Sequence, residues 1–320
     1  MSNNPGVVQP LPEGAGKALE ASLRSLVDGS QGIGGRADHQ AHVRVGMHLL
    51  FCDSKELISY DRVEDLLTKQ SIRQGQLYDK EGPEVLPHIK SFIATYNLPL
   101  DDLLIEDLTQ YPTFNSFFAR RLKASARPID SPQDPTVIVS PADSRMTVFE
   151  NVEQAEKFWI KGREFSIPEL LGHDERFAAL QDDGGCMLAI SRLAPQDYHR
   201  FHSPVEGVVQ CIKDIEDLNV FTKNKRSVML LHANLGPGRE QVPIALVAIG
   251  GNIGWSKKPG DTVAKGAEAG WFAYGGSTLI VVLPSRAVCG VRFDDDLIQT
   301  SEKGMETIVR VGDRVATVQQ

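Results

Sequence analysis

The second half of this chain contains a series of short apolar runs, and that series constrains the fold more than any other feature. The runs are TVIVS, CMLAIS, GVVQCI, SVMLL, IALVAIG and TLIVVLP, which begin at residues 136, 186, 207, 227, 244 and 278. Turns that carry glycine, proline or aspartate separate them. Short apolar runs bounded by turn residues are typical of buried β-strands. The pattern favours a β-rich sandwich or barrel-like body over a doubly wound α/β sheet.

The preceding region, residues 39–124, carries a helical pattern instead. Apolar residues recur at helical spacing at positions 43, 47, 50 and 51 and again at 85, 89, 92 and 93. Pro87 and Pro99 are expected to divide the region into shorter helices. Residues 1–38 are rich in Gly, Ser, Pro and Asn and are expected to be flexible. The sequence therefore predicts an α+β protein, in which a helical N-terminal layer (39–124) lies on a β-rich body (125–320).

Charge and cysteine usage narrow the classes of function. The formal net charge of −8 argues against nucleic acid as a partner. The longest apolar runs are too short to span a bilayer, so contact with an internal membrane would be peripheral. The four cysteines are scattered without a Cys-x-x-Cys pair, and no secretory signal pattern opens the chain, which favours reduced thiols and a cytoplasmic location. One basic stretch, Ala119–Lys123 with Arg127 nearby, is expected to be a solvated surface.

Chemically capable residues fall in three clusters of the β-rich half. Asp143 ends the turn Ser140–Asp143, His199 and His202 lie in the segment DYHRFH, and Ser277 follows a pair of glycines. Tyr198 and Phe201, within the same segment, are expected to serve packing.

Three interpretations of these clusters come from the residues alone. A zinc site would need a third ligand beside the two histidines, and no zinc signature is present, so no metal is expected. A serine hydrolase triad of Ser277, a histidine and Asp143 lacks the Gly-x-Ser-x-Gly elbow, because this serine opens an apparent strand. A carrier module is suggested by SPVEGVV and PGDTVAKGAEAGWF, but the motif around a carrier lysine is missing.

An ordered series of longer stretches resembles the phosphatidylserine decarboxylase family, whose members use a pyruvoyl group, and looks closest to its fungal extra-mitochondrial branch. The stretches run from residue 114 to residue 284 in family order, and VRVGMHLLF near residue 43 extends the likeness. They are FNSFFARRLKASARPID, VSPADSRMTVF, FWIKGREFSIPELLG, LAPQDYHRFHSPVEG, VFTKNKR and KKPGDTVAKGAEAGWFAYGGST.

The resemblance implies that the chain cuts itself between Gly276 and Ser277. The Ser277 hydroxyl would attack the carbonyl carbon of Gly276, giving a β chain of residues 1–276 and an α chain of 277–320 that begins with the pyruvoyl cofactor. Glycine suits such a site because it tolerates unusual backbone geometry. His202 would take the serine proton, and Asp143 would orient His202. His199 would serve decarboxylation, either by orienting the substrate carboxylate or by donating a proton.

The expected reaction converts phosphatidylserine to phosphatidylethanolamine and CO₂, with processed units paired as dimers. A soluble pyruvoyl-dependent decarboxylase acting on an amino acid such as tryptophan is one alternative. Segments after Ile212 and after Gly254 are shorter than is usual in the family. They leave open a second alternative, a family member that does not cleave itself and acts as a binding or scaffold protein.

Overall fold

The computed structural model describes residues 77–152, 166–180, 185–215, 226–250, 252–274 and 277–319. The predictions for the flexible segment 1–38 and for the helical pattern at positions 43–51 lie outside these ranges. The helices are α1 (Val85–Tyr96), α2 (Phe114–Phe118), α3 (Ile167–Leu170), α4 (Arg286–Cys289) and α5 (Asp295–Glu302), with 3₁₀ turns at Leu108–Gln110, Ala124–Ala126 and Glu175–Leu180.

The predicted helix at positions 85–93 is confirmed, but Pro87 does not divide the region. Pro87 is the third residue of α1, where a backbone N–H has no intrahelical partner, so proline costs little there. Helix α1 ends instead at Asn97, whose left-handed conformation (φ 49°) and N–H bond to Ile93 close the last turn. Pro99 follows two residues later, as expected for a residue that stops a helix.

All six predicted strands are present, and the described ranges contain eight further strands. The strands are β1 (Val137–Val139), β2 (Ser144–Phe149), β3 (Met187–Leu193), β4 (Arg200–His202), β5 (Glu206–Ile215), β6 (Arg226–Asn234), β7 (Val242–Ile249), β8 (Ile253–Trp255), β9 (Thr262–Val263), β10 (Glu268–Phe272), β11 (Ser277–Leu283), β12 (Val291–Phe293), β13 (Thr307–Val309) and β14 (Arg314–Val318). The α+β prediction is therefore confirmed.

One large sheet organises these strands. Eight strands pair antiparallel in the order β13-β2-β3-β11-β7-β6-β5-β9. Two three-stranded sheets, β4-β10-β8 and β1-β14-β12, are also antiparallel. The central strands β7 and β11 are apolar along most of their length because both faces of the large sheet are covered.

The two faces of the large sheet bury different layers. Leu279 and Val281 of β11 share a core with Phe201 and Phe272, which come from the small sheet β4-β10-β8. The alternate residues of β11 pack on the other face, in a core that also contains buried residues of α3 and of the 3₁₀ turn Glu175–Leu180. This alternation follows from the two-residue period of a strand. The sandwich-like layering therefore comes from the small sheets on one face of the large one.

An aromatic cluster joins the described helices of the N-terminal region to the chain that approaches β11. Phe114 and Phe118 of α2 lie 5.7 Å and 5.1 Å, centroid to centroid, from the ring of Tyr274. The side-chain oxygen of Asn115, also in α2, accepts a hydrogen bond of 2.9 Å from the N–H of Tyr274. Helix α2 thus holds the chain three residues ahead of Ser277.

Cys186, Cys211 and Cys289 are buried, and the Sγ of Cys186 donates a hydrogen bond to the carbonyl of Leu180 (3.1 Å). Cys52 lies outside the described residues. No helix among the described residues is long and apolar enough to cross a membrane.

Candidate active site

Strands β2, β3 and β11 lie side by side in the large sheet, and the predicted site residues lie near one end of these three strands. Arg145 of β2 pairs with Arg192 of β3, and Arg192 pairs with Thr278 of β11. One residue further along, Ser277 pairs with Leu193. Asp143, immediately before β2, and Ser277 therefore lie at the same end of the sheet, on either side of β3. Since neighbouring strands are about 4.8 Å apart, the starts of β2 and β11 are separated by roughly 10 Å.

The two histidines lie on the segment that leaves this end of β3. The backbone N–H of His202 donates to the carbonyl of Pro141 (2.8 Å), which ties β4 to the turn that carries Asp143. The carbonyl of His199 accepts from the N–H of Phe272 (2.9 Å), the last residue of β10 before the chain turns toward Ser277. The fold thus assembles the segments bearing Asp143, both histidines and Ser277.

Ser277 is buried, with 5% of its surface exposed, and opens β11. The two-residue period places it on the same face of the sheet as Leu279, the face that packs against Phe201 of β4. Gly276, the other side of the predicted cleavage site, lies outside the described residues, as does Gly275.

Asp143 is buried and fully engaged, although not by a histidine. Its carboxylate accepts hydrogen bonds from Nε of Arg127 (2.9 Å to each oxygen), from Nη2 of the same side chain and from the N–H of Val311 (2.9 Å). The resemblance implied instead that Asp143 orients His202. In this structure the carboxylate is directed by a guanidinium and a backbone amide.

His202 has both ring nitrogens engaged by other groups. Nδ1 lies 2.8 Å from the carbonyl oxygen of Gly266, so Nδ1 carries the proton and donates it. Nε2 is then an acceptor, and the hydroxyl of Tyr198 lies 3.2 Å from it. Burial lowers the pKa of His202, opposed by the bond to Gly266 and by the charges of Glu268 and Asp143. The ring is thus a neutral base whose lone pair faces Tyr198.

Tyr198 was expected to serve packing, and the structure adds a polar contact to that role. Only 5% of the residue is exposed, and burial raises the pKa of its hydroxyl. The hydroxyl therefore stays protonated and donates to His202. Tyr198 and His202 are four residues apart in an apparently extended segment, so no local pattern in the sequence indicated this contact.

His199 is completely buried, and one of its ring nitrogens has no partner. Nδ1 lies 2.9 Å from the carbonyl oxygen of Asp197, which makes it the donor, and the Phe118 ring lies 3.8 Å away, centroid to centroid. Within the described part of the chain, Nε2 has no hydrogen-bond partner. Burial lowers the pKa of His199 from 6.5 to about 3, and the charge of Arg120 also lowers it. A buried lone pair of this kind can accept a hydrogen bond or a proton.

Arg120 and Arg127 were expected to lie on a solvated surface, and that expectation is wrong for both. Arg120 is 6% exposed and donates to the carbonyls of Gln196 (3.0 Å) and Asp197 (3.2 Å). Arg127 is held by Asp143. Burial of a guanidinium is tolerated where several acceptors satisfy it, and those acceptors come from segments remote in the chain.

Two cavities open beside this site. One, of about 320 Å³, is lined by Asp143, Arg127 and Tyr198. The other, of about 500 Å³, is lined by Asn115, Arg200 and residues of β10 and the chain after it. Among the residues that the structure describes, no group of three His, Cys, Asp or Glu side chains could hold a metal ion.

Comparison with known proteins identifies the class of protein that carries this site. The family model for phosphatidylserine decarboxylase matches residues 114–317. The chain belongs to the phosphatidylserine decarboxylase family, which confirms the resemblance seen in the sequence.

Individual relatives refine that assignment. Phosphatidylserine decarboxylase proenzyme 2 of Komagataella phaffii is 39% identical over 286 residues, 85% of this chain and 27% of the relative. Proenzyme 3 of Schizosaccharomyces pombe is 35% identical over 324 residues, 94% of this chain and 32% of the relative. The proenzyme of Chlamydia trachomatis is 36% identical over 242 residues, 70% of this chain and 75% of the relative. The chain thus spans only about a quarter to a third of the fungal relatives that it matches.

Proposed function

We propose that this chain is the precursor of a pyruvoyl-dependent carboxy-lyase. It cleaves itself between Gly276 and Ser277 and then releases CO₂ from phosphatidylserine. The observation that carries the proposal is the register of the large sheet, which brings the start of β11 to the sheet end from which the segment of His199 and His202 departs. The names of the relatives, phosphatidylserine decarboxylase proenzymes, support both the substrate and the processing step.

Self-cleavage needs a base for the Ser277 hydroxyl, because a serine hydroxyl is a weak nucleophile by itself. His202 is neutral, and Nε2 is the ring atom with the lone pair. Once the hydroxyl of Tyr198 turns away from Nε2, this atom would take the proton as Oγ of Ser277 bonds to the carbonyl carbon of Gly276. The C–N bond would then break, and the same proton would pass to the freed nitrogen of Ser277, leaving an ester. The charge of Asp143 favours the protonated imidazole that forms in between.

Elimination from that ester would leave a carboxylate on Gly276, and hydrolysis at residue 277 would release ammonia. The group so formed would be held by the pairing of β11 with Leu193. The buried Nε2 of His199, which has no hydrogen-bond partner among the described residues, fits a reacting group nearby. When present, a pyruvoyl group supplies an electron sink for the electron pair that departing CO₂ leaves behind.

The tautomer of His199 narrows its role in decarboxylation. With Nδ1–H committed to Asp197, Nε2 presents a lone pair, which repels a carboxylate and accepts a proton. We therefore favour proton transfer over orientation of the substrate carboxylate. Nε2 would carry the proton that is delivered to the carbon that has lost CO₂.

The first test is the intact mass of the purified protein over time. We expect two chains, 1–276 and 277–320, and no cleavage in Ser277→Ala. Ser191→Ala is a matched control, because Ser191 is a buried serine on the neighbouring strand and faces the same side of the sheet. The control is expected to cleave like the parent. An uncleaved parent chain, or cleavage of Ser277→Ala at 276/277, would refute the proposal.

The second test separates the substrates. CO₂ release is measured on phosphatidylserine in mixed micelles, on free serine and on tryptophan. Turnover of phosphatidylserine alone is expected, whereas turnover of tryptophan alone would favour the amino-acid decarboxylase.

Paired variants of His199 test its proposed role. Asparagine preserves a donor near Nδ1 and removes Nε2, while glutamine places a polar atom near Nε2 and loses the Nδ1 donor. We expect His199→Asn to cleave but to lose decarboxylation by about 100-fold or more, a typical effect of removing a proton-transfer group. His199→Gln should lose activity to a similar extent, because an amide near the position of Nε2 can form hydrogen bonds but cannot transfer a proton, whereas activity well above that of the asparagine variant would favour orientation. Full turnover by His199→Asn would remove Nε2 from the mechanism.

Pairing of processed units and peripheral contact with an internal membrane belong to the same proposal. Sedimentation of the cleaved protein and its flotation with phosphatidylserine vesicles test these two features separately.

A further inference from the structure

Arg127 contacts one of the predicted site residues, Asp143, through several hydrogen bonds. Its side chain is 15% exposed and lies between the carboxylates of Asp143 and Asp102. Nε and Nη2 form a bidentate contact with the carboxylate of Asp143. Nη1 donates to the carbonyl of the preceding residue, Ala126 (2.7 Å). Asp102 lies further from Nη1, at 3.4 Å. The guanidinium is therefore directed mainly toward Asp143.

This geometry fixes the position of the Asp143 carboxylate. A planar guanidinium that contacts both oxygens sets the plane of the carboxylate as well as its distance. The N–H of Val311 adds a third direction from a separate strand end. A carboxylate as buried as that of Asp143 would also be strongly destabilised without a cation beside it. Arg127 thus supplies both the charge and the orientation.

Arg127 also lies against the group that contacts the proposed base. The central carbon of its guanidinium is 6.0 Å from the centroid of the Tyr198 ring. The hydroxyl of Tyr198 in turn contacts Nε2 of His202. A continuous set of contacts therefore runs from Asp143 through Arg127 and Tyr198 to His202.

We propose that Arg127 is a positioning residue for self-cleavage, which acts by holding the carboxylate of Asp143 in the place where its charge favours protonation of His202. The inference rests on the proposed function, since it assigns Arg127 a part in the same reaction. It differs from a purely structural role because it requires that Arg127 act through Asp143.

Variants of Arg127 separate charge, fork geometry and bulk. Arg127→Met keeps the length of the side chain without its charge, and Arg127→Lys keeps the charge without the fork. Appearance of the 277–320 fragment is followed by mass spectrometry. We expect Arg127→Met to slow cleavage about 10- to 100-fold, the range that a buried charged hydrogen bond corresponds to, and Arg127→Lys to restore part of the rate.

A double-mutant cycle tests whether Arg127 acts through Asp143. Asp143→Asn alone is expected to slow cleavage, and adding Arg127→Met should slow it no further, because the carboxylate is already gone. The matched control is Arg176→Met. Arg176 makes the same bidentate contact with Asp174 (3.0 Å and 2.7 Å), but its side chain is 51% exposed. The variant Arg176→Met should cleave itself at the same rate as the parent protein.

The outcomes distinguish this inference from the function on which it rests. A parent chain that never cleaves overturns both. Cleavage of the parent together with parental rates in Arg127→Met, or multiplicative effects in the double variant, overturns only the role of Arg127. If Arg127→Met fails to fold, the lysine variant decides the question, since a rate equal to that of the parent would show that the fork is not needed.

Discussion

The burial of His199 makes the protein sensitive to acid, and the size of the effect follows from the structure. The perturbation is His199→Leu, which removes the titrating ring with little change in side-chain volume. It is introduced beside Ser277→Ala, so that the chain stays intact in both proteins. Loss of the bond to the carbonyl of Asp197 lowers stability at every pH, and Arg120 still donates to that carbonyl.

The expected pH dependence has a definite sign. Burial lowers the pKa of His199 from 6.5 in the unfolded chain to about 3 in the folded one. Between these values the unfolded chain binds more protons, so acid favours unfolding. The contribution of the neutral His199 ring to the free energy of unfolding is present above pH 6.5 and declines as the pH falls toward 3. Below pH 3 this contribution changes no further. The slope is about 1.4 kcal/mol per pH unit once the unfolded histidine is fully protonated and half of that at pH 6.5, so the drop from pH 6.5 to 4.5 amounts to about 2 kcal/mol.

The assay is urea unfolding followed by circular dichroism at several pH values between 7.5 and 4.5. Other titrating groups, including His202, are common to both proteins and cancel in the difference. The protein with His199 should lose about 2 kcal/mol more than the leucine variant over the interval from pH 6.5 to 4.5. Parallel pH profiles in the two proteins would refute the reasoning, because they would mean that His199 titrates equally in the folded and unfolded chains.

Two further predictions concern the surroundings of the site. Tyr198→Phe leaves Nε2 of His202 without its donor and should lower the free energy of unfolding by about 1–3 kcal/mol. Unchanged stability in urea would contradict that hydrogen bond. In Gly270→Ala the new Cβ would lie 2.4 Å from the carbonyl oxygen of Gly254 and 2.5 Å from the Phe201 ring. Strands β8, β10 and β4 must then separate, and stability should fall by about 1–3 kcal/mol or more. Thermal melting at the parental temperature would show that this packing is looser than described.

Elements with a strong local signal were predictable from the sequence. The six apolar runs became strands because each buries at least one apolar face, and the strands β7 and β11, which are central in a sheet covered on both faces, are apolar nearly throughout. The helix at Val85–Tyr96 followed from the spacing of its buried face. Short strands such as β4 and β8 were missed, since three residues carry little periodicity and their pairing partners lie far away in the chain.

The candidate site likewise has a part that could be predicted from the sequence and a part that could not. Its chemical residues, Asp143, His199, His202 and Ser277, could be named from the sequence, because hydroxyl, imidazole and carboxylate groups stand out in otherwise apolar segments and the family stretches surround them. Their assigned roles remain predictions.

What only the tertiary structure decided is the partner of each group. The sequence by itself determined the β-rich body, the family and the candidate residues, all of which depend on local pattern. It could not show that Arg127, rather than His202, contacts Asp143, or that Tyr198 contacts His202. The burial and pairing of a charged side chain depend on what packs over it. Here those groups come from segments separated in the chain and joined only when the sheets assemble.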